Sequence, residues 1–365
     1  MSNDIIVLVL DAGGTNLVFN VVKNGVIQKS TFSLPAKSES LENLLEKIIH
    51  GFREINKKDG GNAAAISFCF PGPADFEKGI IGDLQNLPFF RGGVPLKAML
   101  ENEFKIPVFI NNDGDLFTLG EAIGGLLPEV NKQLKDNKIE KQYKNLLGVT
   151  LGTGFGGGIV SNGQLFLGDN SAGAEINRMV NPVNWDWSVE EALSIRGIRR
   201  LFSEELGVNI VDVPEPYSIY QIGMGNKEGN QLAAKKAWEN FGLILGDALA
   251  NAVTMIDGLV VIGGGLSGAY PLFLPKTVEM MNRRFSRFGG GEVPRMEIDA
   301  FNLEDDTDRK KFYDQKSEMI NVPFSSEQVA YNPDKKTVVG VTRLGTSRAV
   351  AIGAYAFATE KLGFN

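Results

Sequence analysis

The chain is short of the residues on which many sites depend. Among its 365 residues there is one cysteine, Cys69, and one histidine, His50. A single cysteine excludes an intrachain disulfide and a cysteine-cluster zinc site. The lone histidine lies in SLENLLEKIIHGF, where Leu41, Leu44, Leu45, Ile48 and Ile49 recur at helical spacing, so it reads as structural. Histidine-based triads and histidine-rich metal sites are therefore not expected, and any general base here is a carboxylate. Positive charge is scarce as well. The formal net charge is −7, and the basic clusters at 282–287 and 308–311 sit beside acids, which does not make the cationic surface a nucleic acid needs. Long apolar runs are missing too. IIVLVL is closed by Asp11 and preceded by Asp4, unlike a secretory signal, and the apolar region 240–262 is broken by Asp247 and Asp257. The expectation is a soluble, cytoplasmic protein with no membrane or nucleic-acid partner.

What the chain has in quantity is glycine, 43 residues in all, much of it in turns behind apolar strands. A buried strand over 5–10 runs into LDAGGTN, and 17–30 reads as a hairpin turning at Asn24-Gly25. A helix over about 40–56 and strands at 63–70 and 106–113 follow, the last leading into the helical GDLFTLGEAIGG. LLGVTLGTGFGGGIVSNGQLF (146–166) then repeats the opening pattern of strand, glycine–threonine turn, strand and Asn-Gly hairpin. The stretch 228–256 places Leu232, Trp238, Phe241, Leu245 and Leu249 on one helical face and leads into GLVVIGGGLSGAY. Segments 128–145 and 286–338, rich in charge, read as insertions or surface elaboration, and 347–363 as a closing helix. Alternating strands and helices without a 20–50-residue repeat indicate an α/β fold.

The three glycine-rich turns suggest phosphate. Without Cβ atoms the backbone can approach an anion and aim several N–H groups at one point. In LDAGGTN those groups belong to Gly13, Gly14 and Thr15, with Asn16 following and Asp11 offering an oxygen to Mg²⁺, directly or through water. Gly152, Thr153 and Gly154 supply a second set, while Gly264 and Gly265 could let a flat nucleobase or ribose lie against bare backbone at a helix start. Neither the Walker pattern nor a G-x-G-x-x-G opening a helix fits the first turn. Asp113 in INNDGD stands where a strand gives way to a helix, which suits a general base and equally suits an N-cap; Asp115 reads as an exposed first-turn acid.

The ordered set DAGGTN, FCFPGPAD, LPFF, NNDGDLFTLGEA, LGTGFGGGIV, SAGAEI and VIGGGLS resembles the ROK family of sugar kinases, within the actin-like superfamily, over nearly the whole chain. That resemblance implies two actin-like (ribonuclease H-like) domains around a cleft, over 1–112 and 113–346, with the closing helix packing back on the first. It also implies ATP with Mg²⁺, phosphate transfer to a sugar hydroxyl and a homodimer. Asp113 is then the base, and Asn86, Asn112, Glu175 and Glu191 contact the sugar, a hexose or N-acetylhexosamine. Two of these have local alternatives: Asn86 could stabilise a turn before Pro88, and Ser188-Val189-Glu190-Glu191 spells a capping box. Arg178 occupies the family's sugar-site histidine position, and NPVNWDW replaces its zinc cysteines. No zinc is expected; Trp185 and Trp187 are expected to pack in its place, and Arg178 either reaches an anionic substrate group or pairs with Glu175. A sugar-sensing protein without catalysis or a DNA-binding domain is the alternative function.

Overall fold

The computed structural model describes residues 4–12, 16–84 and 87–364. The chain falls into two compact units interleaved along the sequence. Met1–Gly125, Gly156–Ala174 and Arg343–Asn365 make the first, and Leu126–Phe155 with Glu175–Thr342 make the second.

In the first unit, β1 (Ile6–Ala12), β2 (Asn16–Lys23) and β3 (Val26–Pro35) are antiparallel neighbours. The β2–β3 turn takes the positive φ angles its sequence promises, 49° at Asn24 and 75° at Gly25. Helix α1 (Leu41–Ile55) follows, its N-cap Ser40 accepting from the Asn43 N–H, and β4 (Ala65–Cys69) then pairs in parallel with β1. Three two-residue strands, β5 (Ala74–Asp75), β6 (Ile80–Ile81) and β7 (Val94–Pro95), form a small separate sheet ahead of α2 (Leu96–Phe104). β8 (Val108–Asn111) completes the main sheet in the order β3-β2-β1-β4-β8. Val7, Leu8, Val9 and Leu10 are all at most 2% exposed, as a central strand covered on both faces must be. α3 (Asp113–Gly124) leaves the edge of this sheet.

The second unit opens with α4 (Leu126–Asp136), whose buried Leu126, Leu127, Val130 and Leu134 make the charged 128–145 region an amphipathic helix at its start. β9 (Leu146–Leu151) follows. β10 (Phe155–Ser161) and β11 (Gln164–Leu165) then return to the first unit, joined by a turn with φ of 51° at Asn162 and 80° at Gly163. Back in the second unit come the hairpin β12 (Val180–Asn181) and β13 (Asn184–Ser188), then α5 (Ile195–Leu206), α6 (Pro216–Met224) and α7 (Gln231–Ile256). β14 (Leu259–Gly263), α8 (Tyr270–Met281), the hairpin β15 (Arg284–Ser286)–β16 (Glu292–Pro294) and β17 (Asp299–Asn302) come next. Then follow α9 (Asp306–Tyr313), the hairpin β18 (Glu318–Asn321)–β19 (Gln328–Tyr331) and β20 (Lys336–Val341). β9, β14, β20 and β17 are successive parallel neighbours.

The closing helix α10 (Thr346–Lys361) belongs to the first unit and packs on α3, β1 and β4. The α3–α10 crossing is backbone against backbone. A Cβ at Gly353 would lie 1.9 Å from the Leu116 carbonyl oxygen, and one at Gly120 1.9 Å from that of Ala349. No other residue fits at either position without separating the helices.

Two expectations change here. The region 286–338 is more than a surface elaboration, because it supplies β17 and the first half of β20, two strands of the second unit's sheet; its charged hairpins hide that in the composition. Leu232 is 66% exposed, whereas Trp238, Phe241, Leu245 and Leu249 are fully buried. Leu232 thus lies off the buried face of α7, which begins with Ala233 and Ala234 instead.

Candidate active site

In the first unit β8 carries the chain to the start of α3, and Asn112 caps that helix. Its extended backbone (φ −73°, ψ 151°) lets its side-chain oxygen accept the Gly114 N–H at 2.8 Å. Capping, one of the two parts open to Asp113, is thus filled by its neighbour. Asp113 is the first helical residue; one carboxylate oxygen shares the Gly114 N–H at 2.9 Å, and the carboxylate also accepts from the residue's own N–H. Gly114 in turn lies flat on β10, where a Cβ would come 2.4 Å from the Gly157 carbonyl oxygen.

The protein crowding around Asp113 raises its carboxyl above the ordinary 3.8, the Gly114 N–H opposes this, and the negative charge of Asp11 adds to the rise. Water nevertheless reaches the side chain, which is exposed. Both properties belong to a carboxylate that solvent can touch while protein fills most of the volume around it. Asp11, at the end of β1, is partly exposed, and its carboxylate bonds nothing among the described residues. Cys69, at the end of β4, is buried; burial first, then the charges of Asp113 and Asp11, push its thiol up, so it stays protonated and inert. Gly13, Gly14, Thr15 and Asn86 lie outside the described residues, and Asn16 is exposed at the head of β2. Asp115 is 7% exposed rather than open to solvent, because the first turn of α3 turns it inward.

Glu121, which the sequence patterns above do not single out, has a structural part on the same helix. This fully buried carboxylate on α3 accepts the backbone N–H groups of Arg343 at 3.2 Å and Leu344 at 3.1 Å, just ahead of α10. Its one signal is an acid at a position where LFTLGEAIG is otherwise apolar or small.

In the second unit the turn after β9 closes on itself, Gly152 N–H to Gly154 carbonyl at 2.9 Å, and the Gly152 carbonyl accepts the first N–H of α5, from Ile195. Thr153 is exposed. After β14, Gly264 takes φ 87° and lies against the Leu151 backbone, while side chains at Gly152 or Gly265 would meet open space. Glu175 and Arg178 bracket a single 3-10 turn; both are exposed, and neither side chain has an ion pair or hydrogen bond among the described residues, so the alternative of an Arg178–Glu175 bridge is not realised.

The two adjacent glutamates face different partners. Glu191 pairs with Arg196 at 2.6 Å and Arg200 at 3.6 Å, and the capping-box bond to Ser188 does not form because 189–191 is a 3-10 turn. Glu190 instead accepts from the Asn177 side chain at 3.4 Å, and its carboxylate fills the space beside Gly154, 2.6 Å from where a Cβ would stand. The tryptophans divide likewise. Trp185 is 81% exposed, with no ring or cation partner among the described residues; Trp187 carries the Arg200 guanidinium 4.1 Å above its ring. The expectation that both would pack therefore fails for Trp185, and Trp187, 39% exposed, packs only through the Arg200 guanidinium on its ring.

Residues 7–306 match the ROK family. The chain belongs to the ROK family. The ROK similarity extends to an N-acetyl-D-glucosamine kinase of Vibrio cholerae, 29% identical over 290 residues, which are 73% of this chain and 87% of that protein. A crystal structure of a glucokinase from Parabacteroides distasonis aligns with TM-score 0.88 and 43% identity over 98% of both chains. A ROK family glucokinase from Streptomyces griseus, crystallised with glucose and AMPPNP, shares the fold at TM-score 0.62 and 17% identity, over 98% of this chain and 100% of that one. The α/β architecture is thus actin-like, as the ROK resemblance implies.

Proposed function

We propose that this protein is an ATP-dependent carbohydrate kinase that transfers the γ-phosphate to a hydroxyl of a hexose or N-acetylhexosamine, with Asp113 as general base. The observation that carries the reading is the state of Asp113. Its carboxylate is anchored by backbone N–H groups at the helix start, the side chain is open to solvent, and its raised carboxyl makes it a better proton acceptor than an ordinary aspartate. Family membership supports a kinase; the names of the relatives support glucose or N-acetylglucosamine as the acceptor class.

The residues fit the cofactor this requires. In the first unit Asp11 offers a carboxylate without a protein partner among the described residues; in the second, Gly152 and Gly265 leave bare backbone beside open space. Mg-ATP would supply the activated phosphoryl group and much of its charge neutralisation. The chain's own residues bind and orient: Asp11 would hold the cation, and the glycine turns, with Gly13, Gly14 and Thr15, would present N–H groups to the phosphates. Asp113 would accept the hydroxyl proton as the bond to phosphorus forms. On the acceptor, Glu175 and Asn112 remain candidates, with Asn86 and Arg178, and we add Glu190 ahead of Glu191, since Glu190 faces Asn177 and the Gly154 turn while Glu191 is engaged by two arginines. We also propose a homodimer, which light scattering would test, and a protein without zinc, which stoichiometric zinc in elemental analysis would contradict.

The acceptor class is tested by mass spectrometry of products from Mg-ATP with glucose, mannose, N-acetylglucosamine, N-acetylmannosamine and glucuronate. A phosphorylated neutral hexose or N-acetylhexosamine is the expected product. Phosphorylation of glucuronate alone would move the assignment to an anionic sugar and to Arg178.

A further inference from the structure

The segment that presents Glu190 lacks the regular structure that usually fixes a binding carboxylate. It is a three-residue 3-10 turn, 189–191, hung between the short hairpin β12–β13 and the start of α5. Val189 anchors its first residue, fully buried, with its N–H on the Met179 carbonyl at 2.8 Å. At its far end Arg196 reaches the Glu191 carboxylate, but the Glu191 main-chain carbonyl is held by Arg200. From the second turn of α5, Arg200 donates to the Glu191 carbonyl at 2.5 Å, sits 3.6 Å from the Glu191 carboxylate and 3.5 Å from that of Glu204, and lays its guanidinium over the Trp187 ring. The Arg200 side chain is only 19% exposed, so these partners define its position.

We propose that Arg200 is a positioning residue for the acceptor site, joining α5, the 189–191 turn and β13 so that the Glu190 carboxylate stays beside Asn177 and Gly154. The inference rests on the sugar-kinase reading. A planar guanidinium can stack on an indole and donate in its own plane at the same time, whereas a lysine ammonium can do only one of these well. Arg196 cannot substitute: its side chain is 65% exposed and it reaches only the Glu191 carboxylate. The clamp acts on the turn through a backbone carbonyl and a ring face, so it sets where Glu190 points without touching a ligand.

The test is steady-state kinetics of Arg200→Lys and Arg200→Met with the neutral sugar that the wild type phosphorylates, varying sugar and ATP separately. The expected result is a rise of tenfold or more in KM for the sugar, with KM for ATP within twofold of wild type. A red-shifted Trp187 emission is expected alongside, read in a Trp185→Phe background. A general structural role would instead raise both KM values together or lower only the melting temperature, and either outcome overturns the proposal, as does an unchanged sugar KM. Should both arginine variants fail to fold, Trp187→Leu removes the ring face and leaves the arginine; an unchanged sugar KM there also overturns it. Glu190→Gln separates the two levels. Loss of sugar affinity in Glu190→Gln with none in Arg200→Lys removes only the clamp, while full activity in Glu190→Gln removes the acceptor-site reading beneath it.

Discussion

The start of α3 in the first unit and the segment 175–191 in the second each carry a carboxylate with a proposed role, and the chain holds them by different means. Asp113 rides on a helix clamped by main chain: Gly114 on β10, and Gly120 and Gly353 at the α10 crossing, where Cβ atoms would come within 2.4 Å of carbonyl oxygens. Glu190 rides on a turn held by side chains, Arg200 above Trp187 and Asn177 across from the carboxylate. A main-chain clamp tolerates almost no substitution and leaves a mark in the sequence as glycine. A side-chain clamp spreads over residues common anywhere on a surface, and its failure should loosen the site rather than unfold the unit.

The largest effect that would break this comparison lies in the first region. Gly353→Ala pushes α10 off Leu116 and should cost about 3 kcal/mol or more, as overpacking of a tight core does, read as a lowered midpoint in urea unfolding. Loss of under 1 kcal/mol would mean that the crossing is softer than its geometry. In the second region Glu190→Gln should raise the sugar KM by about tenfold, the scale of one lost charge-assisted hydrogen bond of about 1.5 kcal/mol, while Glu191→Gln leaves it within about twofold. Equal effects in the two variants would erase the distinction between the neighbouring glutamates.

Titration of Asp113 gives the next prediction. As a base it works only when ionised, so kcat/KM falls as pH drops through its carboxyl value, and that acid limb should lie above the ordinary 3.8. The stability effect has the opposite sense. A carboxyl value raised in the folded state makes folding bind a proton between the ordinary and raised values, so stability declines as pH rises through that window. At neutral pH the native state bears that cost, and Asp113→Asn should melt slightly higher than wild type in calorimetry at pH 7 while melting equally below pH 3. A lower melting temperature at pH 7 would show that the carboxylate stabilises the helix start. The smallest effect belongs to Trp185→Ala, which should change stability by less than about 0.5 kcal/mol because the ring is solvent-exposed.

Much of the first region is legible in the amino-acid sequence alone. The apolar run ending at Asp11, the Asn24-Gly25 and Asn162-Gly163 turns and the strand-to-helix step at Asp113 are local signals, and local chemistry decides them. What local signals leave open or miss depends on distant partners or on the backbone of a single residue. Asn112 rather than Asp113 caps α3 because one residue's backbone is extended. Glu191 does not close a capping box on the Ser188 backbone because 189–191 is a 3-10 turn, and its carboxylate pairs instead with arginines on the next helix. The strands inside 286–338 are short and separated by exposed hairpins, so the pairing of β17 with β20, and of β20 with β14, has no local signature. Glu121 is legible in principle, as a charge inside an apolar helix, but its partners lie more than 200 positions further along the chain.

The most direct test of the account is acceptor-dependent ADP release by Asp113→Asn beside wild type, with nucleotide and sugar affinities measured by calorimetry on both. The account predicts binding within a few-fold of wild type and turnover lowered at least about 100-fold, the scale of a lost general base. Turnover within about tenfold of wild type, with both ligands still bound, would contradict Asp113 as the base and the functional reading built on it.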